Sequence, residues 1–228
     1  MARLARLVVP GLPHHVTQRG NGRAQAFFDD DDFALYRDLL AENCCAAEVA
    51  VWAWCLMPNH VHLILVPADA DGLRRALAAT HRRYAGLVHA RRKRTGHFWQ
   101  GRFGSAVMDE EHLAAAVRYV SLNPVRARLV ARPQDWRWSS ARAHLSGRDD
   151  GVTTLAPVLE RFAPFRAFIE APPDRDAIER LRAAESIGRP LGSAAFVARL
   201  EKRFGRTLRP AKRGPKPRRS DPAQARPI

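Results

Sequence analysis

The stretch "VAVWAWCLMPNHVHLILV", residues 49–66, is two apolar runs broken by Pro58 and Asn59, and the second run carries His60 and His62 one residue apart. Residues 49–57 are rich in β-formers and apolar on both faces, as a central strand is. Pro-Asn is turn chemistry, so the whole stretch reads as a hairpin. Strand side chains repeat every two residues, which puts His60 and His62 on one face and Val61, Leu63 and Leu65 on the other. Two imidazoles on one face have a chelating geometry. A plainer reading stays open at this point: one edge and one core histidine, each satisfied by a backbone carbonyl.

Upstream, "LPHHVTQR" (12–19) alternates as a strand and "GNGR" follows as a turn. His14 and His15 fall on that strand; one of them could face the site, but solvated or capped histidines are the better reading. "DDDDFALYRDLLAENCCAAE" (29–48) opens with acids suited to a helix start and spaces Phe33, Tyr36, Leu39 and Leu40 helically. Downstream, Leu73, Leu77, Tyr84 and Val88 mark a second helix with arginines on its open side. A fourth strand is expected over 103–108 and a third helix over 110–130. The order β, α, β, β, α, β, helix is a ferredoxin-like α+β alternation, an antiparallel sheet with packed helices.

Beyond residue 131 the pattern weakens, and Trp136 and Trp138 are expected to pack back on the core. Two short helices are expected within 173–204, split by "SIGRPLG". The chain thus divides into a main unit at 1–148, a linker at 149–172, a small helical extension suited to DNA at 173–206, and a basic tail at 207–228. That tail has little to bury and is expected to be disordered alone. There is no internal repeat.

Its 228 residues carry a formal charge of +15, unevenly spread. From Leu73 to Met108 there are nine basic residues and no acid: Arg74, Arg75, Arg82, Arg83, Arg91, Arg92, Lys93, Arg94 and Arg102. The segment 201–228 adds ten basic residues against two acids, including Lys212, Arg213, Lys216, Arg218 and Arg219. Clustered positive charge favours a polyanion, and nucleic acid is the leading partner. Trp99, in a loop between basic segments, suits stacking on bases and equally suits core and loop packing. "KRGPKPRR" (212–219) suits a minor-groove hook or a nonspecific electrostatic tether. No apolar run approaches the ~20 residues that span a bilayer. The basic start lacks a signal-peptide core, so a cytoplasmic, nucleoid-associated protein is expected. Cys44, Cys45 and Cys55 suggest neither a disulfide framework nor a zinc knuckle.

Within the third helix Tyr119 and Asn123 stand four apart and share a face. Each has a plainer reading. Tyr119 suits a core aromatic with its hydroxyl at the surface. Asn123 precedes Pro124, which disfavours helical geometry, so it suits a helix end with Pro124 opening the next turn. Two imidazoles and an amide oxygen would form a three-ligand site with open positions, favouring a divalent metal that acts on substrate. A tyrosine beside it, in a basic protein, points to phosphoryl chemistry with the phenolate as nucleophile. No serine elbow, Cys–His pair or metalloprotease pattern competes.

Four co-linear motifs then resemble one family: "PGLPHHVTQRGN", "MPNHVHLIL", "FWQGRFGSAVMDEEHL" and "RYVSLNPVRARLV". Over roughly residues 7–145 the chain is similar to the REP-associated tyrosine transposases, single-tyrosine enzymes with a His-hydrophobic-His motif. "GRPLGSAAFVARLEKRFGR" resembles the C-terminal extension of one group of them. The resemblance implies a ferredoxin-like fold, with His60 and His62 as metal ligands, Asn123 in the third ligand's place and Tyr119 as nucleophile. It implies cleavage and rejoining of single-stranded DNA at hairpin or REP-like palindromic sequences through a 5′-phosphotyrosine, without ATP. Mg2+ or Mn2+ is the family's metal, though residue types alone equally allow zinc. A monomer or homodimer is expected. The alternative is a domesticated, non-catalytic protein that binds or regulates DNA hairpins.

Overall fold

A computed structural model describes residues 6–172 and 174–209, with the side chains of 175 and 185–187 outside that description. Four strands form one antiparallel sheet: β1 (His14–Arg19), β2 (Val49–Met57), β3 (His60–Pro67) and β4 (Gly104–Val107), in the order β2-β3-β1-β4. Helix α1 (Asp30–Ala46) joins β1 to β2 and α2 (Gly72–Arg92) joins β3 to β4. The chain is α+β and ferredoxin-like, as its pattern indicates.

Each crossover carries its helix over the same face of the sheet. There Val16, Trp54, Leu56, Val61, Leu63 and Leu65 meet Phe33, Tyr36, Leu40, Leu77, Tyr84 and Val88. Side chains of this size each contribute about 1.5–3 kcal/mol on burial, so this layer is a large part of the driving force. Asp29 caps α1 by accepting from the Asp32 amide.

The opposite face is covered by α3 (Glu110–Arg126), whose Leu113, Ala116, Val117 and Val120 pack on Ala53, Cys55, Met57, Ile64 and Ala106. In β2 the register shifts between Val51 and Ala53, so Trp52 is an extra residue and both it and Ala53 join this second layer. Helix α3 does not stop at Asn123. It continues through Pro124 to Arg126, because a buried Pro124 removes only the donor to the Val120 carbonyl while packing holds the turn.

Short helices α4 (Ala141–Ser146), α5 (Ala156–Arg161) and α6 (Phe165–Glu170) follow, then α7 (Arg175–Ile187) and α8 (Ala194–Phe204). The stretch expected as a linker therefore carries α5 and α6, whose Val158, Phe165 and Ile169 are buried in the α3 layer. Trp138 is buried against Phe33, and Trp136 donates its indole N–H to the Leu56 carbonyl. Both outer strands receive extra chain. Leu191 bridges to Met108 beside β4, and the Leu56 and Ser140 amides exchange bonds with Trp138 and Trp54 along β2. Residues 210–228, and with them Lys212, Arg213, Lys216, Arg218 and Arg219, lie outside the described residues.

Candidate active site

The register of β3 against β1 sets Thr17 opposite His62 and Arg19 opposite His60. On the other side Cys55 and Met57 of β2 stand opposite the same two histidines. All these residues belong to the face that α3 covers. The strand period thus delivers both imidazoles to one helix, and that helix carries Tyr119 and Asn123.

The Tyr119 ring lies edge-on to His62 with centroids 5.2 Å apart, and His60 and His62 meet at 4.8 Å. Asn123 is buried, and its Nδ2 finds no partner among the described residues. Burial, helped by the Arg19 charge, pushes the His60 pKa down to about 4. Burial also drives His62 well below the usual value, with His15, His60 and Arg19 adding to the effect. Both rings are therefore neutral at pH 7, the form that ligates a metal. Among the described residues no three His, Cys, Asp or Glu side chains group into a metal cage. Two imidazoles, a buried amide with unspent hydrogen-bonding capacity and oxygens from outside suit an open site that acts on substrate.

His15 is the one of the strand's two histidines that faces the site. It is buried rather than solvated, its Nε2 lies 3.1 Å from His62 Nδ1, and its ring sits edge-on to Tyr119 at 6.2 Å. His14, on the other face, is held by the Leu12 carbonyl and the Val9 amide. Sequence alternation alone separates His14 from His15 but does not say which face is the site. The pairing of β1 with β3 does.

Beside Tyr119 an open cleft of about 380 Å³ separates α3 from α7, lined by Arg118, Tyr119, Leu122, Arg126, Ile178, Glu179 and Arg182. The Arg126 guanidinium carbon sits 4.6 Å from the Tyr119 ring centre and that of Arg182 sits 5.8 Å away. Arg118 is committed elsewhere, donating to the Pro172 and Phe168 carbonyls. Arg182 was not legible as a site residue, since the sequence does not reveal that α7 returns to α3; Arg126, seven residues after Tyr119 on the same helix, could have been found by helical spacing.

All nine basic residues between Leu73 and Met108 are exposed, and five of them are already engaged within the chain. Arg74 pairs with Asp71, Arg75 with Asp69, Arg83 with Glu42, and Arg91 with the buried Asp32. Arg92 lies over the Phe28 ring at 3.7 Å. Arg82, Lys93, Arg94 and Arg102 complete the exposed set. Trp99 follows the packing alternative: only 9% exposed, it lies against Phe98, Tyr84 and His81 and donates to the His81 carbonyl. Of the cysteines, Cys44 and Cys55 are buried and Cys45 is exposed.

No helix among the described residues is long and apolar enough to cross a membrane. A comparison with curated proteins gives no match. Among solved structures, a REP-associated tyrosine transposase bound to a REP hairpin aligns with a TM-score of 0.56 at 20% identity, covering 67% of this chain and 90% of that one. A Deinococcus radiodurans protein described as a transposase aligns at 22% identity with a TM-score of 0.38, over 52% of this chain and 95% of that one. The first likeness is one of fold. Residues 8–123, just over half the chain and including the hairpin, the histidine face and Tyr119, match the family model described as "Transposase IS200 like". The chain belongs to the IS200-like transposase family.

Proposed function

We propose that this transposase is a metal-dependent single-strand DNA transesterase that cuts and rejoins DNA at hairpin or palindromic sequences, with Tyr119 as nucleophile. The observation that carries this reading is the meeting of Tyr119 with the histidine face, 5.2 Å from His62 across the sheet–helix layer. The phenol loses its proton and its oxygen bonds the scissile phosphorus. The bond to O3′ breaks, leaving a free 3′-hydroxyl and a 5′-phosphotyrosine. Attack by another 3′-hydroxyl reverses the exchange, so one phosphodiester is traded for another and no ATP is needed. A Mg2+ or Mn2+ ion held by His60, His62 and Asn123 would supply positive charge against the phosphoryl oxygens. Arg126 and Arg182, beside the ring, suit the backbone of the strand being cut.

On this reading the unit ending near residue 148 carries the chemistry, and the 173–206 extension adds DNA contact through the α3–α7 cleft. Arg82, Lys93, Arg94 and Arg102 add sequence-independent attraction to phosphates. A similar fold bound to a REP hairpin in the structural neighbour supports hairpin DNA as partner.

The test is incubation with labelled hairpin oligonucleotides from the flanking genome and Mn2+ or Mg2+, read on a denaturing gel. A covalent adduct, lost in Tyr119→Phe and on chelation with EDTA, is expected. An adduct that persists in Tyr119→Phe sinks the assignment. Tight hairpin binding with no adduct from the unaltered protein would instead support the non-catalytic, domesticated reading.

A further inference from the structure

Asn59 and His15 each touch one histidine of the site face, and neither is among the proposed ligands. The His60 Nδ1 lies 2.6 Å from Asn59 Oδ1, and Asn59 Nδ2 donates to the Arg23 carbonyl at 3.1 Å. A carbonyl only accepts, so the amide nitrogen must face Arg23 and the amide oxygen must face His60. That oxygen also only accepts. His60 Nδ1 therefore carries the ring's proton, and the lone pair of the neutral imidazole is on Nε2.

The second ring poses a choice. His62 Nδ1 and His15 Nε2 are 3.1 Å apart, the ring planes differ by 4° and the centres by 5.3 Å. That separation equals the nitrogen contact plus two ring radii, so the rings lie edge to edge in one plane rather than stacked. Such a pair shares one proton, with one nitrogen donating and the other accepting. If His15 donates, His62 keeps its proton on Nε2 and cannot ligate through that atom. If His62 donates, its lone pair is on Nε2, matching His60.

We infer that Asn59 and His15 are positioning residues that set His60 and His62 in the same Nδ1–H tautomer, so that both offer Nε2 lone pairs to one divalent cation. The inference rests on the metal-dependent reading above. Asn59 also ties this setting to the turn at 20–23. The Gly20 amide donates to the Asn59 carbonyl at 2.9 Å, and a Cβ at Gly20 would stand 2.2 Å from the Ala24 carbonyl oxygen, so only glycine fits there. The orientation of His60 is thereby fixed by the turn that carries Arg23 and follows Arg19.

Two measurements on the full chain test this. Long-range 1H–15N correlation spectra, assigned with single histidine variants, are expected to show His60 and His62 both protonated on Nδ1; an Nε2–H tautomer at either overturns the inference. Titration with Mn2+ alone, followed by the resonance of free Mn2+, is expected to show ~10–100-fold weaker binding in Asn59→Leu and in His15→Leu. Asn59→Asp and His15→Gln, which restore an acceptor, are expected to recover most of it. Folded Leu variants that bind like the unaltered protein overturn the inference, as do acceptor variants as weak as the Leu ones. Absence of Mn2+ binding by the unaltered protein, with the tautomers as stated, would instead overturn the metal-dependent reading.

Discussion

The two faces of the sheet are made by the same strands and meet opposite demands. On the α1–α2 face the polar tips of the aromatic cluster are answered within the chain. Tyr36 bonds His81, Tyr84 donates to the Ala26 carbonyl and Trp99 to the His81 carbonyl. On the α3 side the helix's own Ser121 Oγ and Asn123 Nδ2 are buried with no partner among the described residues, and His15 and His62 meet the Tyr119 ring, with His60 against His62. One face holds the molecule together and the other carries the candidate site.

The sharpest way to break this contrast is to change one residue on each face. Tyr119→Phe is expected to abolish adduct formation while changing unfolding free energy by no more than about 1 kcal/mol, the worth of one hydroxyl. Gel assay and urea unfolding on the same preparation check it. A stability loss comparable to a core truncation would mean that Tyr119 is structural. Leu63→Ala, one residue from His62 but facing α1 and α2, is expected to cost about 2–5 kcal/mol and leave adduct yield per folded molecule near normal. Loss of chemistry in the folded fraction would show that the faces are not separable.

Acid probes both faces together. Burial pushes His81, on the first face, and His15, on the second, down to about 3. Because these values lie below that of the unfolded chain, the unfolded state takes up protons first. Stability is then fully present above about pH 6.5 and declines as pH falls toward 3, by up to about 1.4 kcal/mol per pH unit for each histidine. Urea unfolding at pH 7, 5.5 and 4.5 measures the slope, and His81→Gln is expected to lower it by one proton's worth. An unchanged slope would mean that His81 is not held neutral. The smallest expected effect is Tyr36→Phe, about 1 kcal/mol from the lost bond to His81, with no change in chemistry. A measurable fall in adduct yield would place this cluster in the site.

The hairpin at 49–67 and the three main helices were legible because period and turn chemistry are local properties. So was the sharing of one face by His60 and His62, which needs only the strand repeat. What remained hidden depends on distant partners. The side of the sheet to which His15 belongs follows from its pairing with β3, and Arg83 loses its freedom to Glu42 on another helix. Trp99 reads as a loop residue, yet tertiary packing with His81, Tyr84 and Phe98 encloses it. At Asn123 a local rule was overridden, because the burial of α3 against the sheet holds a turn that Pro124 alone would end.

The extra chain along the two outer strands bears on how copies of the protein meet. Exposed strand edges are templates on which another chain can add a ladder, the usual first step of edge-to-edge aggregation. Here Leu191 exchanges bonds with Val107 and Asp109 at one edge, while Trp138, Ser140 and Thr154 occupy carbonyls and amides of β2 at the other. Two copies could merge their sheets along these stretches only after peeling off segments that belong to each chain's own fold. Crowding many copies on one DNA therefore carries little risk of sheet fusion at these positions.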